Sequence, residues 1–523
     1  MTTPIYDAIV IGAGHNELTA AATLARKGKS VCVIEKNATA GGMARNTTFA
    51  NGIQAPEIAH LLYNLHPKVK KELGLGSARA PLEVRDLPAV SLSEDGKHAV
   101  IRNGRAELAY GRPHPEAAPF GELMRRLTLF AGLLGQLSTK SPPSLEGGLA
   151  SLAKLTELAG LAKLGLDLKR MGKKDMREFL RVLLSNAYDL ILDDLEDGPL
   201  AGALAADAAR GAFAGPRSPG TVFSLMYRLG QGGGAQLPLG GMGAVAAAFE
   251  TAARAAGAEI RTGTGVARVL TENDRAAGVV LEDGTEISAR AVLSNTGPMP
   301  AMILAGAEHY DVEAVRRMRN QRCKGTAAKV NLALSAAPEF TGLSSELMAG
   351  RLLIAPSATY VERAFNPAKY GDMPENPVIE AVIPSLSDPA LARDGQHVLS
   401  AVVSSVPYEL EGGWDKAARE RLATATIATL ENYAPGISAL VTESQVLSPA
   451  CIEAKTGAPG GHWHHAEMGI DQILTVRPAN GMAHYRFGPE GYYLCGAGAH
   501  PGGDVTGLAG RNSALQLLKD GVI

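Results

Sequence analysis

Residues 7–11 read Asp-Ala-Ile-Val-Ile, an apolar run with the β-branched content of a buried parallel strand. It runs directly into Gly12-Ala13-Gly14, and that junction constrains the chain more than any other stretch. The first glycine permits a tight turn, and the second lets the backbone approach a bound pyrophosphate. A helical pattern rich in alanine and leucine follows from about Leu18 to Lys27, and Gly28 ends it. Ser30 to Ile34 reads as a second buried strand, closed by Glu35, 21 residues after Gly14. Together these make a dinucleotide-binding βαβ unit. The helix N-terminus offers free N–H groups and positive potential to a phosphate. Glu35 is placed to accept hydrogen bonds from adenosine ribose hydroxyls.

One position departs from the pattern. The third glycine of G-x-G-x-x-G belongs at 17, and Glu17 stands there. That glycine ordinarily allows close packing of helix on strand. A carboxylate suits the first turn of a helix but sits awkwardly near a phosphate. The expectation is that Glu17 points away from the ligand.

Beyond Glu35, Gly41-Gly42-Met43-Ala44-Arg45 adds a second glycine element. Its glycines allow backbone contact with a cofactor, and Arg45 can pair with pyrophosphate charge. Dehydrogenases that bind only NAD have no need of it, so it shifts the ligand from NAD to FAD. The other end of the chain repeats the theme. Tyr492 to Cys495 reads as a strand, Gly496 to Gly507 as a glycine-rich loop, and Gly507 to Lys519 as a helix with its own phosphate-facing N-terminus. The cofactor domain is thus built from both chain ends.

Between them the texture changes. Residues 107–200 read as a helical insertion: Leu152, Leu155, Leu158, Leu161 and Leu164 recur three apart, Lys169, Arg170, Lys173 and Lys174 cluster, and Met176 to Leu192 is helical. Its apolar faces would line a lipophilic cavity or lie on a membrane surface, while ordinary bundle core and a solvated basic face is the plainer alternative. A glycine- and proline-rich stretch, 203–243, precedes a helix at 244–256. Strands follow at 259–261 and 265–271, then a hairpin, 276–281 with 286–288, turning at Asp283-Gly284. Another buried strand spans 290–294, and Val266 falls where adenine commonly meets backbone amides. Lys324 to Leu334 and Val378 to Ser405 read as strands of a second, mixed sheet, with a helix at Trp414 to Tyr433. The resulting division is an α/β chain: a Rossmann-like FAD-binding domain in three parts (1–106, 201–300 and 481–523), the helical insertion (107–200) and a mixed-sheet substrate domain (301–480).

Composition narrows the classes. A formal net charge of −2 and 5% aromatic residues argue against nucleic-acid binding. Cys32, Cys323, Cys451 and Cys495 are scattered without a C-x-x-C, which speaks against a zinc site or redox disulfide and fits a reducing compartment. The first strand begins too early for a secretory signal, and no apolar run reaches the length of a membrane span. A cytoplasmic location follows, with contact to a membrane surface left open. No G-x-S-x-G elbow marks a hydrolase.

These residues resemble the phytoene-desaturase-like branch of the FAD-dependent amine oxidase superfamily, nearest to the pyridine nucleotide-disulfide oxidoreductase domain-containing protein 2 group. The likeness spans nearly the whole chain. It rests on the N-terminal motif, Gly211-Ala-Phe-Ala-Gly-Pro-Arg-Ser-Pro-Gly, Gly240-Gly-Met-Gly, Val292-Leu-Ser-Asn, Gly460-Gly with His465, Asp471-Gln and Arg477-Pro478, and Leu494-Cys-Gly-Ala-Gly-Ala-His-Pro-Gly-Gly. The resemblance implies the two-domain flavoprotein fold with a cofactor domain of the glutathione-reductase-like (GR2) type. It implies FAD contacts from Gly12, Gly14, Glu35, Lys36, Gly42, Arg45, Val266, Gly496, Asp504 and Val505. The loop neighbours His15, Asn16, Gly41, Met43, Gly498 and Gly503 complete the expected cofactor set.

FAD in such a protein accepts hydride at N5. Desaturation also releases a proton from the neighbouring carbon, and a base helps only within reach of it. The candidates are His60, His462, His464, His465 and His500. His465 and His500 rank first because they sit in the two family-like loops, although a hydrogen-bonded structural role is the commoner fate of a single histidine. No carboxylate or cysteine spacing turns the 462–465 cluster into a zinc site, so no metal is assigned. The expected activity is desaturation or dehydrogenation of a lipophilic, isoprenoid-like or acyl substrate. Three alternatives stand: an amine-oxidase-like enzyme with an aromatic cage, a non-redox flavin isomerase or cyclase, and a flavin-binding protein without turnover.

Overall fold

The glycine motif folds as a strand–turn–helix–strand unit: β1 (Tyr6–Ile11), α1 (His15–Ala25) and β2 (Val31–Glu35). The computed structural model describes residues 6–142, 165–166, 169–231, 234–393 and 395–523. Helix α1 begins three residues earlier than its apolar pattern, because the glycine turn itself supplies its first turn. In the parallel sheet, Ile9 lies opposite Cys32 of β2 on one side and Val292 of Glu286–Ser294 on the other. Glu259–Thr262 pairs outside β2, with Ile260 opposite Val33. Tyr492–Leu494 pairs with the end of Glu286–Ser294, with Leu293 opposite Tyr493. Chain segments nearly five hundred positions apart in number therefore share one core, in which Ile9, Val10, Leu18, Val33, Val292 and Leu293 are fully buried.

The antiparallel ribbon Val266–Glu272, Arg275–Leu281 and Glu286–Ser294 continues the sheet, turning at Gly284 (φ +86°). The stretches 286–288 and 290–294 form one nine-residue strand. Its first part pairs antiparallel in the ribbon and its last part parallel with β1.

Leu508–Asp520 packs along α1. An added Cβ on Gly510 would stand 1.8 Å from the Asn16 carbonyl oxygen, so the crossing exists only with a bare backbone there. Gly510→Ala is expected to push the helices apart at a cost of about 2–3 kcal/mol, in the range for overpacking. A thermal midpoint unchanged from that of the parent protein would refute this.

The second sheet is mixed and eight-stranded. Its order is Val441–Leu447, Ala327–Leu334, His397–Ser404, Ile379–Val382, Arg351–Ile354, Ala89–Ser91, Ala99–Arg102 and Arg105–Leu108. The one parallel pairing joins Arg351–Ile354 to Ala89–Ser91. Residues 89–108 thus belong to the second sheet, not to the first part of the cofactor domain as a boundary at 106 has it. Strands of three or four residues carry too little pattern to name their partner sheet.

The helical unit comprises Ala117–Ser138, Gly172–Leu184, Ala187–Leu192, Pro199–Ala209 and Thr221–Gly230, so it runs past position 200. The stretch 176–192 is two helices, because the Asn186 side chain accepts from Asp189 N (2.8 Å) and caps a new start. The leucines at 152–164 lie outside the described residues. Lys169, Arg170, Lys173 and Lys174 are exposed. No helix among the described residues is long and apolar enough to cross a membrane.

Candidate active site

A cavity of about 470 Å³ opens at the C-terminal ends of β1 and β2, where an open α/β sheet places its ligands. Its wall includes Gly12, Gly14, His15, Asn16, Glu35, Lys36, Gly42, Met43, Arg45, Val266, Asp504 and Val505. Glu35 braces the turn: Oε2 accepts from Ala13 N (2.8 Å), and Oε1 accepts from Asn37 N (2.9 Å). Gly12 adopts φ +95° and donates to the Ile34 carbonyl (2.7 Å). The two glycine elements lie on each other, since a Cβ on Gly42 would come within 3.3 Å of Gly14 Cα. Gly41 stands behind the wall, donating from its amide to the Ala13 carbonyl (2.8 Å).

The residues fit FAD. Buried polar atoms around this cavity have no partner among the described residues: His15 Nε2, Asn16 Oδ1, Arg45 Nε and Asn295 Oδ1. Leaving such groups unpaired is costly, and a polar ligand relieves it. Lys36, Val266 and Glu282 bound the same cavity beside the ribose acid. Arg45 is steadied by Glu57 (3.0 Å). When bound, FAD supplies a hydride acceptor.

Three expected contacts from the C-terminal loop are corrected. Gly496, Gly498 and Gly503 do not line the cavity. A Cβ on Gly496 would fall 1.3 Å from Asn295 Oδ1, on Gly498 2.7 Å from Pro298 Cδ, and on Gly503 1.8 Å from His464 Nδ1. Their bare backbones admit neighbouring side chains.

Glu17 is also corrected. Its side chain folds beneath the glycine turn, on the cavity wall, with Oε2 2.6 Å from where a Gly14 Cβ would stand. It is 1% exposed, and Oε2 has no partner among the described residues. Burial pushes its carboxyl up to about 8, with the Glu35 charge adding to the rise. Packed against the C-terminal helix, the first turn of α1 leaves this side chain no route to water, so Glu17 stays neutral at pH 7.

The five histidines separate. His465 alone of them lies on the cavity wall, at φ +58°, with Nδ1 unpartnered. Burial, with Arg477 nearby, lowers it to about 4, so its ring is neutral at pH 7. His500 lies off the wall with Nε2 against the Leu137 carbonyl (3.1 Å), and so cannot serve as the base expected of it. His60 is held between the Ser400 carbonyl (3.1 Å) and Glu380 (2.8 Å). His462 and His464 pack as a tilted pair, ring centroids 5.6 Å apart, behind the wall. Among the described residues no group of three or more His, Cys, Asp or Glu side chains could hold a metal ion.

The far part of the cavity holds residues that sequence reasoning missed. The Arg210 guanidinium lies over the rings of Tyr63 (4.3 Å) and Trp463 (5.0 Å), and all three line the wall. Arg210 Nη2 donates to Glu380 (3.2 Å), which also receives Arg351 Nε (2.8 Å). Asp207 receives Arg228 (2.8 Å) and Arg351 Nη1 (3.2 Å). Burial opposes the Glu380 charge, but Arg210 and Arg351 hold its carboxyl well below the usual range. Lys329, buried behind this cluster, donates to Ser400 Oγ, and burial drives its amine well below the usual lysine value. The available signal was the Gly211–Gly220 block. Gly211 at φ +75° presses its bare backbone on the Trp463 indole, where a Cβ would stand 2.3 Å from Cζ2.

Comparison with known proteins bears on the fold and the cofactor. The family model for flavin containing amine oxidoreductase matches residues 18–435. The chain is 32% identical over 549 residues to pyridine nucleotide-disulfide oxidoreductase domain-containing protein 2 of Rattus norvegicus, covering 99% of this chain and 94% of that protein. It is 26% identical over 313 residues to the neurosporene-forming phytoene desaturase of Rhodobacter capsulatus, covering 57% and 56%. Among solved structures, an oxidoreductase from Methanosarcina mazei shares the fold with a TM-score of 0.58 at 18% identity, over 98% of this chain and 99% of that one.

Proposed function

The chain belongs to the flavin containing amine oxidoreductase family and is an FAD-dependent oxidoreductase; from that premise we propose that it dehydrogenates a lipophilic substrate, an isoprenoid-like or acyl chain, leaving a new carbon–carbon double bond. The observation that carries this reading is the character of the wall beyond the glycine loops. Ile58, Leu61 and Val402 offer an apolar surface, the setting for a chain that gains by leaving water. The partial likeness to phytoene desaturases supports it. An amine substrate fits less well. The two rings nearest to an aromatic cage, Tyr63 and Trp463, already flank the Arg210 guanidinium, and a protonated amine there would meet a like charge in a site of low dielectric.

The chain's own part in the reaction is to seat the substrate against the flavin site and to receive a proton. His465 is neutral and on the wall, and its ring would take the proton lost from the carbon beside the hydride donor. The test is anaerobic mixing of purified holoprotein with long-chain lipids and with amines. Bleaching of the flavin band near ~450 nm is expected with a lipid and not with an amine. Bleaching by amines alone would overturn the substrate class.

A further inference from the structure

Resting on the lipophilic reading, we infer that Tyr63, Arg210 and Trp463 form a seat for a carboxylate, so that the substrate is a long-chain acid held by its charged end. Three buried donors carry the argument. Arg210 Nε, Trp463 Nε1 and the Tyr63 hydroxyl each lack a hydrogen-bond partner among the described residues. All three residues line one cavity. They arrive from separate places: Tyr63 from the strand Leu62–Tyr63, Arg210 from the end of Pro199–Ala209, and Trp463 from the loop before His465. Donors from three segments left unmade around one cavity are costly for the fold, and an acceptor with several lone pairs would relieve that cost.

The chemistry of the three donors selects the acceptor. A guanidinium keeps its charge and favours a carboxylate, with shorter and stronger bonds than to a neutral oxygen. Burial raises the Tyr63 phenol above its usual range, so it donates throughout the neutral range. An indole N–H only donates. Of the carboxylates on the wall, Asp504 acts on Arg210, and it is engaged by Asn64 Nδ2 (2.6 Å). Glu380 faces Arg210 from behind, along with His60 and Arg351. The apolar residues Leu61 and Val402 line the same cavity and would take the chain.

Binding of decanoate, decanol and decylamine to the FAD-loaded protein, read as perturbation of the flavin absorption spectrum, tests the seat without turnover. Decanoate is expected to bind tighter than decanol by a factor of about ten or more. Trp463→Phe keeps a ring on Gly211 but removes the N–H; it should weaken decanoate by about three- to tenfold and leave decanol unchanged. Arg210→Gln should abolish the preference while the protein keeps its flavin. Equal binding of decanoate and decanol overturns the carboxylate seat but leaves the lipophilic reading standing. Variants that lose flavin rather than the preference also overturn it, because the donors then serve the cofactor. Failure of decanoate and decanol alike, or tighter binding of decylamine, overturns both readings.

Discussion

Replacing Arg477 by methionine should strip flavin from the purified protein and lower its thermal midpoint steeply. Arg477 is wholly buried yet makes no ion pair among the described residues. Its guanidinium donates only to backbone carbonyls. Nε and Nη2 reach Ala497 O (3.1 and 2.6 Å), Nη2 reaches His464 O (2.6 Å), and Nη1 reaches Glu467 O and Gln472 O (3.1 Å each). Burial lowers it to about 10, so it remains charged at pH 7. One side chain thus ties the loop carrying Trp463 and His465 to the loop leading to Asp504. Methionine fills similar space but leaves the carbonyls of Ala497, His464 and Gln472 without donors, while Glu467 O keeps Gln472 Nε2 (3.3 Å). At about 1 kcal/mol or more each, the loss is on the order of 3 kcal/mol. The effect reaches the cavity because His464 is seated on Gly503. Arg477→Lys keeps a charge but only three donors from a point, so it should fall between. Thermal melts and the ratio of flavin absorbance to protein absorbance check this. A methionine variant with full flavin and the parental midpoint would show that the loops hold their register without the guanidinium.

The parts of the fold that were legible in the sequence are those in which neighbouring residues agree. Strand, glycine turn, helix and closing acid lie within residues 6–35 and each supports the others. The Asp283-Gly284 hairpin and the C-terminal strand and helix were legible for the same reason. What was not legible depends on distant partners. Glycine in a loop reads alike whether it lines the cavity, as Gly42 does, or lies off the wall against a side chain, as Gly496 and Gly503 do. His465 and His500 sit in equally family-like loops, and only the path of each loop puts one on the wall and the other against Leu137. The seat at Arg210 joins side chains from positions 63, 210 and 463, and no local pattern announces such a meeting.

Glu17 supplies the other large effect, a pH dependence of cofactor binding. The expectation that it points away from the ligand rested on assuming a charged carboxylate. Instead the group lies under the phosphate turn and is neutral below about pH 8. The sign follows from linkage. In the unfolded chain the carboxyl ionises near its ordinary 4.5, whereas in the folded chain it holds its proton to about 8. Folding stability from this site is therefore complete below about pH 4.5 and is lost as pH rises toward 8. The difference amounts to on the order of 5 kcal/mol. A pyrophosphate over the Gly12–Gly14 turn disfavours the ionised form further, so FAD binds best to the protonated protein. FAD affinity should be level from pH 6 to 7.5 and fall about tenfold per unit above the carboxyl's own titration. Glu17→Gln keeps the shape and removes the titration, so its affinity should change by less than about threefold across the same range. Titration of apoprotein with FAD at pH 6, 7, 8 and 9, followed by flavin fluorescence, decides the matter. Parallel profiles for the two proteins would mean that the carboxyl does not sense the cofactor. A Gln variant that binds weakly at every pH would mean that the acid proton is itself a donor to the ligand.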